Sequence, residues 1–512
     1  MKSKNLFFKI FLSLFLILIF SCKTNKPWDG NRLIVLGIDG ISWDVINPLL
    51  EKNELPNFKK IIDTGASGTL ISFRPLCSPL IWTTIATGRM ARHHNILDHT
   101  VPYIPGPKRP VESIFREVPA VWNIASSEGR TVGVVGYFAT YPPEKINGFL
   151  VSDMISRDIK SVYPPDFLGG LEAEISELHS NKQLLDRFFP WNYDPKVLSD
   201  QNSPLYNVTK IVNKAFLDRL ERDEINQYIT KKFFPQNYDL FMTYLRCTDH
   251  ASHCSWIFYD DSSFSEKPDP NDKNLLKNLI PETYRYMDDF LGEILDLMDD
   301  RTNILIISDH GSGPAVGRYR ITDPSKTWLT GNHRLDGVFL AAGPDIAHGK
   351  FEGITTLDIT PIILALLQLP LSNELDGKLD KRIFREKFFD DFPIKYTDKY
   401  EITWENIFEI ERKSKVDFDK DYLEKLKSLG YIKDDTEYSS KIENDDLDFW
   451  SIDPILRCNV LAGEGFLYLI NGQIQKLMNL EDLIRQKDPH SLQRIRALIS
   501  IEIDEFLKTI YK

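Results

Sequence analysis

The chain has 512 residues, of which 42% are hydrophobic, 12% aromatic and 27% charged. That apolar supply can fill a large core, which excludes a disordered or fibrous protein and suggests one big domain with appendages. The net charge of −12 argues against nucleic acid as a partner, since basic patches dominate there, but leaves phosphate substrates open, because a bound metal sets its own local field.

In chain order, MKSKNLFFK is basic, IFLSLFLILIF is apolar, and Ile19-Phe20-Ser21-Cys22 follows. The apolar run is shorter than the ~20 residues of a spanning helix. The pattern resembles a bacterial lipoprotein signal peptide over residues 1–21, with Cys22 acylated and 22–31 serving as a tether. Phe20 is bulkier than usual at its position, and an uncleaved N-terminal anchor is the alternative. Either way the protein is expected outside the cytoplasmic membrane, in the cell envelope, periplasmic or on the outer membrane. Lys23 after the cysteine favours the outer membrane.

Residues 33–38 (LIVLGI) read as a buried parallel strand ending at Asp39. Residues 43–62 read as helix with a break at Leu55-Pro56, and 78–87 as a turn entering a helix. VGVVGYF (132–138), DLFMTYL (239–245), NILIISD (303–309) and GVFLAAG (337–343) read as strands, separated by amphipathic stretches such as 274–299 and 357–368. Strands alternating with helices predict an α/β sandwich with a mainly parallel sheet. Residues 154–237, rich in charge, aromatics and Pro with a helical run near 206–233, break this rhythm; they are expected to form an inserted cap, an ordinary surface excursion being the alternative. A helix over 421–432, an acidic linker over 433–461 and a helical tail over 462–512 complete the chain.

Six metal-ligand side chains stand at or just past these strand ends, where open α/β sheets place their sites. They are Asp39, Asp249 and His253 in TDHASH, Asp309 and His310 in SDHG, and His333 in GNHR. Carboxylates and imidazoles suit borderline cations such as Zn²⁺, and six are enough for two open-sided metals. Each has an ordinary alternative: Asp39-Gly40 a turn, His333 a loop histidine. Asp249 and His253, four apart, share one side of a helical turn, whereas His250 is expected to point elsewhere. Ser78 lies between the first two ligand segments; it is a candidate nucleophile or a helix N-cap, and it can be both. Cys247 and Cys254 could be ligands or a disulfide, but read best as buried apolar residues.

The order Asp, Ser, Asp-x-x-x-His, Asp-His, His resembles the alkaline phosphatase superfamily. It is most similar to the type I phosphodiesterase/nucleotide pyrophosphatase branch and its predicted bacterial phosphohydrolase/phosphomutase group. LGIDGISWDVI, SPLIWTTIATG, VGVVGYFATYPPEKINGFLVSD and HRLDGVFLAAGPDI carry the likeness, over about residues 32–432. It implies an alkaline-phosphatase-like three-layer sandwich. In this superfamily the nucleophile sits nine residues before the Thr of Thr87-Gly88, which selects Ser78 over Cys77. The likeness also implies one metal at Asp39, Ser78, Asp309 and His310 and another at Asp249, His253 and His333. The pair is expected to be Zn²⁺, although the ligation also admits Mn²⁺.

Departures bear on substrate. Ile81 stands where nucleotide pyrophosphatases have an Asn and sulfatases an Arg, and no Arg directly follows Ser78, as it does in alkaline phosphatases proper. His94-Asn95 replaces a His-Gly, and His93 and His94 read as structural. The expected activity is metal-dependent hydrolysis of a phosphodiester, pyrophosphate or monoester through phospho-Ser78, on a small molecule or an envelope lipid or glycan. The alternatives are a sulfatase, a phosphotransferase and a non-catalytic surface lipoprotein.

Overall fold

Strand β1 (Arg32–Ile38) is buried along its whole length, which requires a layer on each face of its sheet. In the computed structural model the described residues are 28–101, 110–154, 161–178, 182–189, 216–236, 238–316, 329–403, 407 and 449–510. Cys22 and the signal peptide, the helix expected over 421–432 and the acidic residues 434–448 lie outside them. The chain divides into two units, Met1–Gly30 and Asn31–Lys512, and the fold belongs to the second. Among the described residues no helix is long and apolar enough to cross a membrane.

The other strands are β2 (Ala66–Ile71), β3 (Val132–Val135), β4 (Gly148–Val151), β5 (Val162–Tyr163), β6 (Leu240–Leu245), β7 (Thr302–Ile307), β8 (Gly311–Pro314), β9 (Gly331–Arg334), β10 (Asp336–Ala342), β11 (Gly349–Lys350) and β12 (Ile354–Thr355). The main sheet runs β11-β2-β10-β7-β1-β6-β3-β4-β5, with β12 also on β2. Its centre, β7-β1-β6-β3-β4, is parallel, as expected. β10 is antiparallel to both of its neighbours, β7 and β2. It follows the β8–β9 hairpin with no crossover helix after β9, and a parallel strand needs such a crossover.

Alternate residues of the central strands feed two cores. Leu33, Val35, Met242, Tyr244 and Leu305 face one, while Ile34, Leu36, Phe241, Leu245 and Ile304 face the other. Helices on both sides make three layers. The helical stretch at 43–62 is two helices, Trp43–Glu51 and Pro56–Thr64, the second with Pro56 in its first turn, where its missing N–H does no harm. In the cap segment, β5 pairs with β4, helices cover Glu172–Leu178, Lys182–Phe188 and Leu217–Phe233, and Phe188, Phe189 and Phe216 join the second core; residues 190–215 lie outside the described residues.

The tail forms three helices, Pro454–Ile470, Ile474–Lys487 and Leu492–Ile510. The first begins eight residues before the expected boundary at 462, because the Asp453 carboxylate accepts from the Ile455 and Leu456 N–H groups ahead of Pro454, a helix-start signal. Val460, Leu461, Phe466 and Leu467 belong to the first core, so this tail is packed into the body.

Candidate metal centre

Three neighbouring parallel strands deliver the three carboxylates. In register, Gly37 of β1 faces Ile307 of β7 and Ile38 faces Leu245 of β6. Asp39 is the first residue past β1, its N–H held by the Leu245 carbonyl at 2.8 Å. Asp309 lies two residues past β7, and Asp249 sits in the first turn of the helix Cys247–Tyr259 that follows β6. Gly40 has φ +66°, and a Cβ there would come within 2.9 Å of Asp249 Cβ; glycine is needed both for the turn and for the approach of the two chains.

The three imidazoles are oriented alike. Nδ1 of His310 donates to the Gly311 carbonyl, Nδ1 of His253 to Gly331 and Nδ1 of His333 to Leu76, each at 3.0 Å. A carbonyl only accepts, so each ring carries its Nδ1 proton outward and turns Nε2 to the centre, as metal-binding histidines do. His333 arrives on the hairpin, where it pairs with Ser312, and its ring stacks on His310 at 3.7 Å.

The six side chains form one cluster. His253 Nε2 lies 3.3 Å and His333 Nε2 3.4 Å from Asp249 Oδ1, and the two Nε2 atoms are 2.8 Å apart. His310 Nε2 lies 3.3 Å from Asp39 Oδ1, 3.5 Å from Asp309 Oδ2 and 4.0 Å from Asp249 Oδ1. Asp39 Oδ1, Asp249 Oδ1, both Asp309 oxygens and His310 Nε2 are buried without a hydrogen-bond partner. Buried polar atoms left this way are costly. With both Nδ1 protons outward, the facing Nε2 atoms of His253 and His333 have no proton between them unless one ring is charged. A cation satisfies both conditions, and the donor set fits one. Donor atoms of Asp39, Asp309 and His310, and of Asp249, His310 and His333, lie within 4.8 Å of one another, so His310 can serve either group.

The electrostatics reflect the crowding. Burial, then Asp39, pushes the Asp309 carboxyl well above its usual range. Burial lowers His310, but Asp309 and Asp39 outweigh it and raise the ring to about 10. Burial and then His310 push His333 down to about 4. Burial opposes ionisation of Asp249, yet His253 and His333 hold it below the ordinary range.

Ser78 is buried as the first residue of the helix Ser78–Thr87, with Cys77 in the N-cap position. Leu76, two residues earlier, is the residue that holds His333. Cys77 donates to Asp98 at 3.6 Å, and burial, then Asp98, raises its thiol, which disfavours a thiolate. Ile81 is fully buried in the first core. His250 accepts from Arg219 at 3.1 Å, His94 bonds Thr84 and His93 bonds Asp376, so all three are engaged away from the ligand cluster. Asn95 takes φ +66°, the left-handed turn that Asn tolerates. Cys247 and Cys254 are buried and free. Sequence reasoning missed Tyr244, whose hydroxyl donates to Asp39 Oδ2, and Thr248, which donates to the Asp39 carbonyl at 2.5 Å. A Tyr within an apolar strand looks like core, and no local pattern marks it.

Residues 33–350 match the type I phosphodiesterase/nucleotide pyrophosphatase family. The chain belongs to this family. All six cluster residues and Ser78 fall inside the matched segment of this phosphodiesterase-family enzyme; the tail falls outside it. Among solved structures, human ectonucleotide pyrophosphatase/phosphodiesterase 5 aligns with a TM-score of 0.41 at 13% identity, covering 69% of this chain and 100% of that one. Phosphonoacetate hydrolase from Sinorhizobium meliloti 1021 aligns with a TM-score of 0.36 at 16% identity, covering 57% and 59%. No curated protein matches the sequence.

Proposed function

We propose that the chain is a metal-dependent phosphoric-ester hydrolase that works through a covalent phospho-Ser78 intermediate. The observation that carries this reading is the set of buried, unpartnered oxygens on Asp39, Asp249 and Asp309, met by imidazole Nε2 atoms that carbonyl groups turn inward. In this reading Asp39, Ser78, Asp309 and His310 hold one divalent cation and Asp249, His253 and His333 the other, Zn²⁺ first and Mn²⁺ second. When bound, the cations supply Lewis acidity to the phosphoryl oxygens and lower the proton affinity of the Ser78 hydroxyl and of water.

The chain itself supplies placement. Ser78 opens a helix, whose positive end favours an approaching phosphoryl anion. Its Oγ attacks phosphorus in line, the ester oxygen leaves as alcohol, and water then cleaves phospho-Ser78 to restore the hydroxyl. Tyr244 and Thr248 hold Asp39 in position. A phosphodiester is the preferred substrate, on family membership, with pyrophosphates and monoesters next, and an envelope lipid or glycan is a suitable carrier. Acylation at Cys22 would place the enzyme on a membrane surface facing such substrates.

Metal analysis with a phosphoester panel, on wild type and Ser78→Ala, tests this. Two metals per chain, turnover in wild type, and loss of turnover with metal retained in Ser78→Ala are expected. Full activity in that variant would remove Ser78 as the nucleophile.

A further inference from the structure

Ser78 is delivered by the segment Ser72-Phe73-Arg74-Pro75-Leu76-Cys77, which joins β2 to the helix. On one side the Leu76 carbonyl accepts a hydrogen bond from His333 Nδ1 at 3.0 Å. On the other side the segment is gripped by the C-terminal tail, 431 residues away in sequence. The Arg74 guanidinium bonds Glu505 at 2.7 Å, and that carboxylate is only 5% exposed. The Glu502 carboxyl meets the Arg74 backbone N–H. Tail residue Gly463 lies so close that a Cβ there would come within 1.9 Å of the Arg74 carbonyl oxygen and 2.8 Å of the Phe73 ring.

The tail is anchored independently of this grip. Arg92 forks onto the buried Glu464 at 2.8 and 3.2 Å, a geometry that fixes direction as well as distance. Tyr468 bonds Asp376 at 3.3 Å, Gln473 donates to the Asp376 carbonyl at 2.9 Å, and Lys378 donates to the Asn471 carbonyl at 2.9 Å. It is thus a fixed surface against which the 72–77 segment is pressed.

We propose that the tail is a positioning element for the nucleophile: Gly463 and Glu505 set the path of Arg74–Cys77, and with it the place of Ser78 and, through Leu76, the orientation of His333. The proposal rests on the assignment of Ser78 above. It gives a role in turnover to residues beyond the matched family segment. A displacement of the order of 1 Å at a reacting group can cost about 100-fold in rate, so small shifts of this segment are readable.

The test is steady-state kinetics on the metal-loaded full chain carrying Gly463→Ala, Glu505→Gln, Arg74→Ala or Arg74→Lys, with metal content and Tm measured on each. The first three are expected to lower kcat by about 10- to 100-fold with KM within about twofold and two metals retained; Arg74→Lys, which keeps the charge, should recover most of the loss. Arg496→Ala, which breaks an exposed pair within the tail, should leave kcat alone. Wild-type kcat in folded, metal-loaded Gly463→Ala and Glu505→Gln would overturn the proposal, as would losses that only follow metal release. If Gly463→Ala does not fold, Glu505→Gln decides alone. An active Ser78→Ala sinks both readings; an inactive Ser78→Ala beside fully active tail variants sinks only this one.

Discussion

The two halves of the cluster are built differently. Asp39, Asp309 and His310 form a carboxylate-rich group at the ends of β1 and β7, with Asp309 and His310 fully buried. Asp249, His253 and His333 form an imidazole-rich group on a helix and a hairpin, with His253 12% and His333 11% exposed. The first half brings two carboxylates together away from water, where the His310 ring, raised to about 10, offsets part of their repulsion. The second consists mainly of imidazoles nearer to solvent. In the proposed reading a cation would relieve carboxylate repulsion in the first half and would separate the facing Nε2 atoms of His253 and His333 in the second.

The largest expected effect follows from that contrast. Asp309→Asn should lower turnover by about 10³-fold or more and cost one metal per chain, yet chelator-treated Asp309→Asn should melt a few degrees above chelator-treated wild type, because it removes the buried repulsion with Asp39. Melting curves with and without chelator check this; a lower Tm in the metal-free variant would break the comparison. Next, His253→Ala should lower turnover by roughly 100-fold and lose one metal while the buried half keeps its own. Loss of both metals would show that the halves bind as a unit, through His310. Tyr244→Phe removes the hydroxyl that donates to Asp39; about a 10-fold fall in activity or metal affinity is expected, read by titration with Zn²⁺ against a competing chelator.

The smallest effect lies in the tail. Burial holds the Glu502 carboxyl up at about 8, with Arg74 opposing. A carboxyl whose folded value lies above its unfolded value, about 4.3, contributes stability that is present below the unfolded value and is lost as pH rises through the folded one. Glu502→Gln should therefore match wild type in Tm near pH 5 and exceed it by a few degrees near pH 9, with no change in metal content. An equal Tm difference at both pH values would contradict this.

Much of the fold was legible in the residues. Apolar runs such as LIVLGI and NILIISD can be buried only as central parallel strands, and the acids closing them stand where such sheets open. Asp249 and His253 could be paired because helical spacing is local. Antiparallel β10 was not legible, since its direction depends on a hairpin formed by residues far apart. Nor were the Nδ1 contacts that aim His253 and His333, because Gly331 and Leu76 become partners only after β2, the hairpin and the helix at Cys247 have assembled. The tail marks the same boundary from the other side. Its helices could be read from the sequence, but its contact with Arg74 required a core shared by residues more than four hundred positions apart. The six candidate ligands and Ser78 were written locally as residue types and strand ends; the convergence of the six, and the grip on the segment that carries Ser78, arise from packing.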